Sequence, residues 1–399
     1  MKIEFPLMEP AYIADPTPYW KILRENDPIY WSEKYNFWVV TKYEDVEAFV
    51  KDYKTFSSAS GPAGGLHQKE EDDANGVGFL PMIQNDPPEH GRLRSLLSRS
   101  FTSRRISDLA PSVHSLAKDL VSDLNAKAAA GEPLDFYHDF ASPLPVAVIA
   151  KLLGIPKDYY EKLAFWNEAM GIGTGGRYSE TQRSSATSEL TQALREIIEL
   201  KRIKPEEDMI SSLVQIADDD GVKLKPNELL GFCKLLWIAG NETTTNLLSN
   251  SALLLQERPD LVRELIDDKS LIPAFIEEAL RHQSPVNGLF RRVTRDYEYK
   301  GKLLKENDNV WLLFASANRD KEVFSNPDEF DLRRDPNDHL ALGKGIHFCM
   351  GHALARLEAE VAFEYLVEFL PKYKLLPEAG LRIPVPVLRG WLKLPMVPA

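Results

Sequence analysis

One cysteine lies where sulfur chemistry would need it. Cys349 lies near the end of the run His339-Leu340-Ala341-Leu342-Gly343-Lys344-Gly345-Ile346-His347-Phe348-Cys349-Met350-Gly351, which holds three glycines and opens into a stripe of Leu354, Leu357, Val361 and Tyr365. Glycine permits positive φ and lets backbone approach a flat ligand that a Cβ would obstruct. A cysteine just ahead of a helix also meets inward-pointing N–H groups and the positive end of the dipole, which favour its thiolate. A lone cysteine is otherwise a small buried hydrophobe. Cys349 is the one of the two cysteines that a glycine loop surrounds, and Cys233 has no such setting.

A second constellation is Ala239-Gly240-Asn241-Glu242-Thr243-Thr244-Thr245, inside a long apolar stretch. Glycine in a helix interior costs roughly 1 kcal/mol relative to alanine, and a β-branched run adds to that. Poor helix formers in a buried helix mark a functional break; the alternative is a threonine face bonding back to helical carbonyls. A carboxylate beside an alcohol suits proton delivery, with Glu242 as relay, Thr243 as hydroxyl donor and Gly240 leaving room.

Three further groups could hold charges. Glu278 and Arg281 are three apart and share a helix face, where most such pairs are solvated. His90 and Arg94, in Asp86-Pro87-Pro88-Glu89-His90-Gly91-Arg92-Leu93-Arg94, are four apart and also share a face; alone they read as a surface basic pair. Arg291 and its neighbour Arg292 offer planar forks of donors suited to carboxylates.

These residues need rigid elements. Asn227 to Gln256 reads as one helix of roughly 45 Å at about 1.5 Å per residue, bounded by Pro226 and Pro259. Its segment Leu229 to Gly240 is apolar almost all round, which predicts a helix crossing the core. Val113 to Ala130 and Thr187 to Lys204 show helical periodicity; Pro28 to Thr41, Arg291 to Tyr299 and Asn309 to Phe314 read as extended. The pattern predicts a mainly α chain with small β-sheets. No repeat or linker divides residues 1–399, so a single domain is expected. The glycine-rich, acidic stretch Gly61 to Gly78 is a solvated loop or a lid over a pocket.

Charge and composition exclude some classes. The 399 residues carry 48 basic and 60 acidic side chains, a formal charge of -12, which disfavours nucleic acid and anionic membranes as partners. Met1 to Asp15 contains neither a signal-like nor a membrane-spanning run, and two cysteines without CxxC spacing argue against a disulfide or a zinc site. The expected location is cytoplasmic.

The run from Leu342 to Gly351, followed by Leu354-Ala355-Arg356-Leu357-Glu358, resembles the haem-binding signature of the cytochrome P-450 family, FGxGxHxCxG and then LARxE. Leu342 stands where that family usually has phenylalanine. Glu278-Ala279-Leu280-Arg281 resembles its ExxR pair, the segment Ala317 to Asp331 its meander, and Ala239 to Thr243 its A/G-G-x-D/E-T motif. The resemblance implies a haem b buried between the long central helix and the cysteine-loop helix, with Cys349 as the iron ligand. It implies propionate contacts from His90, Arg94, Arg291 (with Arg292 as competitor) and His347, and a structural role for Glu278 and Arg281, joined by an arginine, Arg333 in preference. Gly240, Glu242 and Thr243 then serve dioxygen activation, Gly240 by leaving space over the iron. The pocket is expected from Gly78, Phe79, Leu80, Pro81 and Met82, from Leu236, Ala239 and Gly240, from Val286 to Phe290, and from Val387 and Leu388.

The activity so implied is insertion of one oxygen atom from O2 into a small apolar substrate. Electrons would come from NAD(P)H through a reductase and a separate ferredoxin or flavodoxin, docking near Arg99, Lys344 and His352. The nearer alternatives are a peroxide-using or isomerising member of the family; a haem gas sensor would not need Glu242 and Thr243, and a structural helical protein would leave the cysteine loop unexplained.

Overall fold

The computed structural model describes residues 5–59, 82–171, 173, 177–216, 221 and 223–399. The expected loop from Gly61 to Gly78, and Phe79, Leu80 and Pro81, lie outside the described residues.

The central helix spans Pro226–Glu257, within a residue of its expected ends. Pro226 takes the first helical position, where a missing N–H costs nothing, and Glu228 Oε2 accepts the N–H of Lys225 at 2.8 Å. The helix stops before Pro259, which begins the next one. Leu229, Leu230, Phe232, Cys233, Leu235, Leu236 and Trp237 are all buried. The helix packs against the helices Pro143–Leu153, Ile272–His282 and His352–Phe369 and so runs through the middle of the helical body.

Helices at Ala110–Ala129 and Glu180–Ile203 match the periodic segments. The second starts seven residues before the expected Thr187, because Ser179 Oγ accepts the Gln182 N–H at 3.2 Å and Gln182 Oε1 accepts the Ser179 N–H at 2.9 Å.

The largest sheet has five strands in the order Ile29–Ser32, Phe37–Val40, Asn309–Leu312, Leu289–Val293, Phe56–Ser57. The pairing of Phe37–Val40 with Asn309–Leu312 is parallel and the other three are antiparallel. The stretch expected to be extended from Arg291 to Tyr299 divides: Tyr297–Tyr299 leaves the sheet to form a ribbon with Lys302–Leu304. In Leu289–Val293 the alternation turns Arg291 and Val293 inward. No helix among the described residues is long and apolar enough to cross a membrane.

Candidate functional site

The cysteine loop crosses the start of the helix His352–Phe369. Gly343 and Gly345 adopt φ of +70° and +68°, so the chain doubles back and the Cys349 N–H reaches Leu342 O at 2.9 Å. Burial pushes the Cys349 thiol up, while the Gly351 N–H and the positive charges of Arg94 and Arg356 pull it down. The Gly351 N–H acts in the direction expected of a helix start, and a sulfur in this setting is held as thiolate once a cation sits on it. Cys233 is fully buried on the central helix, and burial raises its thiol to about 12.

Beside the cysteine stands a wall of donors. His90, on the helix Glu89–Ser100, brings its ring to 4.3 Å from that of His347. Burial lowers both imidazoles, His347 to about 3 with help from Arg291, His90 and Arg94, so both rings are neutral. Each keeps a buried Nε2 without a hydrogen-bond partner. Arg291 is 3% exposed; its Nη1 donates to the neighbouring Phe290 O at 2.8 Å, and no ion pair reaches it among the described residues. Arg94 donates Nη2 to Phe348 O at 2.7 Å, which ties the His90 helix to the cysteine loop. Arg292, the competitor, lies on the opposite face of the strand. Two unpartnered imidazole nitrogens and two arginines without a bonded carboxylate, next to a half-buried sulfur, fit a planar metal complex that brings its own carboxylates.

Midway along its length, the central helix changes character. Ala239 is exposed in mid-helix, and Glu242 and Thr243 on the same side are half-buried, whereas Asn241, Thr244 and Thr245 are buried. Thr243 Oγ1 donates to Ala239 O at 2.7 Å. Glu242 Oε1 accepts the N–H of Gly173 at 2.7 Å; a Cβ on Gly173 would lie 2.5 Å from that oxygen. Gly240, expected to leave room on this helix, also lies close to the helix Pro143–Leu153: a Cβ there would come 2.7 Å from Ile149 Cδ1. Ala239, one turn before Thr243, lies on the open face.

Glu278 and Arg281 are 1% and 0% exposed and form a two-pronged bond at 2.7 and 2.8 Å. Arg281 also donates to the carbonyls of Asn318, Pro327 and Glu329. The third member is Arg334, whose Nε reaches Glu278, and not Arg333, which turns outward to Glu264 at 2.8 Å. The backbone explains the swap: Arg333 N–H caps Asp331 Oδ1 and projects its side chain to solvent.

Of the expected pocket residues, Val286 pairs with Leu388 and Asn287 N–H donates to Val387 O at 2.9 Å, so the two segments form one wall. Leu289 shares the face of Arg291, whereas Phe290 turns away and stacks on Trp311 at 5.7 Å. Leu236 is nearly buried at 9%. Arg177 is engaged by Glu168 at 3.6 Å and by Leu392 O at 3.3 Å. On the outer side of the cysteine loop Lys344 is neutralised by Glu47 and Asp338, and His352 Nδ1 lies 2.8 Å from Arg356 Nη1.

Comparison with known proteins finds related chains. The family model described as cytochrome P-450 matches residues 177–384. The chain is 34% identical over 394 residues to the cytochrome P-450 monooxygenase PikC of Streptomyces venezuelae, covering 96% of this chain and 91% of that one. It is 35% identical over 384 residues to a vitamin D(3) 25-hydroxylase of Pseudonocardia autotrophica, covering 92% and 90%. The structure of the cytochrome P-450 PksS of the Bacillus subtilis bacillaene polyketide synthase superposes with a TM-score of 0.88 at 33% identity, over 99% of this chain and 100% of that one.

Proposed function

The chain belongs to the cytochrome P-450 family, and on that premise we propose which residues carry its reaction and what it acts on. It is a monooxygenase that uses haem b, O2 and electrons originating from NAD(P)H. Cys349 is the iron ligand in this reading, and His90, Arg94, Arg291 and His347 hold the propionates. When bound, the haem supplies reductive activation of dioxygen, which a thiolate ligand favours by pushing electron density toward O–O cleavage.

Around that group the protein positions protons and apolar surface. Thr243 holds a hydroxyl on the open face of the central helix, anchored on Ala239 O. Glu242, steadied by the Gly173 N–H, passes protons toward it. Leu236, Ala239, Val286, Leu289, Val387 and Leu388 offer hydrocarbon, so the substrate is a small apolar molecule held by shape. A ferredoxin or flavodoxin with its reductase delivers electrons on the cysteine side near Arg99 and His352, with Lys344 already paired. The described residues act as one domain, and two free cysteines fit a cytoplasmic setting.

The observation that carries this reading is a half-buried Cys349 in its glycine loop, flanked by unpartnered His90 and His347 nitrogens. Cys349→Ser should abolish the thiolate-type spectrum of the reduced CO complex, and Cys233→Ser should keep it; the reverse pattern overturns the assignment. Turnover that proceeds on peroxide and ignores reduced ferredoxin would move the enzyme to the peroxygenase alternative.

A further inference from the structure

The hairpin that carries Val387 and Leu388 has a second side. Between it and the helix Pro10–Ala14 lies a narrow crevice, open to solvent and with room for about one water-sized body, lined by Tyr12, Asn287, Arg382, Leu388, Arg389 and Gly390, among others. Two guanidinium groups share it. Arg389 donates Nε to Gln283 Oε1 at 3.0 Å, and its two terminal nitrogens have no hydrogen-bond partner among the described residues. Arg382 lies flat on the Trp391 ring at 4.1 Å, which supports the cation without neutralising it.

No carboxylate lies within ion-pair distance of either arginine among the described residues. Asp15 is felt by both through space, but it is exposed and its Oδ1 is taken by the Thr17 N–H at 3.0 Å. Burial lowers Arg389 to about 10, and repulsion from Arg382 adds to this. The third donor is Tyr12, 1% exposed. Its oxygen accepts the Trp20 Nε1–H at 2.8 Å, and burial keeps the phenol protonated, so its own hydrogen is left to give. Two like charges and a phenol O–H thus line one crevice with no carboxylate bonded to any of them among the described residues; the neutral Asn287 Oδ1 in the same lining is itself without a partner.

We propose that this crevice binds a single small monovalent anion, a halide or a carboxylate group, between Arg382, Arg389 and Tyr12. The anion screens the two arginines from each other and firms the hairpin from behind. The bond of Asn287 Nδ2 to Pro386 O at 2.9 Å carries that rigidity to the wall formed with Val286. This last consequence rests on the substrate wall proposed above; the binding itself does not. A free halide and the carboxylate end of an acidic apolar molecule share the required chemistry.

The experiment replaces sodium gluconate by sodium bromide at constant ionic strength with the holoenzyme. It reads the thermal midpoint, and the anomalous signal of bromide in crystals of the same protein. A saturable rise in the midpoint and an anomalous peak between Arg382 and Arg389 are expected. Half-saturation should weaken at least about tenfold in Arg389→Gln, as for loss of a charged hydrogen bond. Arg382→Gln, at the half-exposed position, gives the same answer should the first variant fold poorly. Decanoate that displaces bromide and shifts the haem spectrum identifies a substrate carboxylate as the occupant; bromide binding that decanoate leaves unchanged identifies a free anion. No peak, or equal bromide response in wild type and both variants, overturns the site. These readouts hold whether or not Cys349 ligates the iron, so the two readings fail separately.

Discussion

Arg334 lays its Nε 3.1 and 3.2 Å from the two oxygens of Glu278, a carboxylate that is 1% exposed. Glu278 also accepts from Arg281, the Asp331 N–H and Asn337 Nδ2, so one buried acid ties a helix to the loop after Phe330. Removing one partner of such a cluster leaves charge uncompensated. Arg334→Ala should cost about 1 to 3 kcal/mol by urea unfolding, and Glu278→Ala more, about 3 to 5 kcal/mol. Arg333→Ala, at a surface pair, should stay within about 0.5 kcal/mol. Equal effects at 333 and 334 would reverse this assignment.

The donor wall makes a separate claim. His90→Ala, Arg94→Ala and Arg291→Ala should each speed haem transfer to an acceptor protein while the reduced CO spectrum stays of the thiolate type. Arg291 should matter most, because its side chain is buried without a carboxylate at hand. Arg292→Ala, on the other strand face, should have little effect. Unchanged haem retention in all three variants removes them from the site.

Much of this was legible in the sequence because the signals are local. The central helix announces itself by an apolar run between prolines, and the cysteine loop by glycines whose φ the turn requires. What sequence missed depends on neighbours distant in the chain. Gly240 reads as room for a ligand, and sequence gives no sign of its close approach to Ile149 on another helix. The choice between Arg333 and Arg334 turns on which side chain reaches Glu278, 56 residues earlier. Two signals were there to use: strand alternation separates Arg291 from Phe290 and Arg292, and the spacing of Ser179 and Gln182 marks a helix start.

His282 should make stability depend on pH. Burial lowers its imidazole to about 3, with Arg319 and Arg281 adding repulsion, while Nε2 bonds the Asp328 carbonyl at 3.0 Å. The folded ring stays neutral where the unfolded one, near 6.5, takes a proton. Its contribution is therefore whole above pH 6.5 and is lost progressively as pH falls toward 3. The ceiling is about 1.4 kcal/mol per pH unit, and a ring only partly shielded from water stays below it. His282→Gln should flatten the fall in urea midpoint between about pH 6.5 and pH 5. An identical pH profile in the two proteins would falsify the claim.

The last prediction concerns the alcohol and the acid on the open face of the central helix. Thr243 Oγ1 holds the Ala239 carbonyl, and Glu242 is pinned by a backbone N–H from Gly173. A hydroxyl so placed can give or relay a proton at one point on that face, and the carboxylate beside it can replace that proton from water. Thr243→Ala should thus lower product formed per NAD(P)H consumed and raise hydrogen peroxide released, with electron uptake little changed. Thr243→Ser, which keeps the hydroxyl, should restore most of the coupling. Glu242→Gln leaves the alcohol in place but slows proton entry, so overall turnover should fall and its solvent isotope effect rise. Thr244 lies about 100° further round the helix and is buried. Thr245 gives its hydroxyl to Asn241 O at 2.9 Å. Both should tolerate alanine with coupling intact. The measurement is NAD(P)H, peroxide and product balanced in a reconstituted redox chain, with a substrate found by its spin-state shift. Loss of coupling in Thr244→Ala with wild-type coupling in Thr243→Ala would mean the reacting face is one residue along; no effect at either means protons arrive by another path.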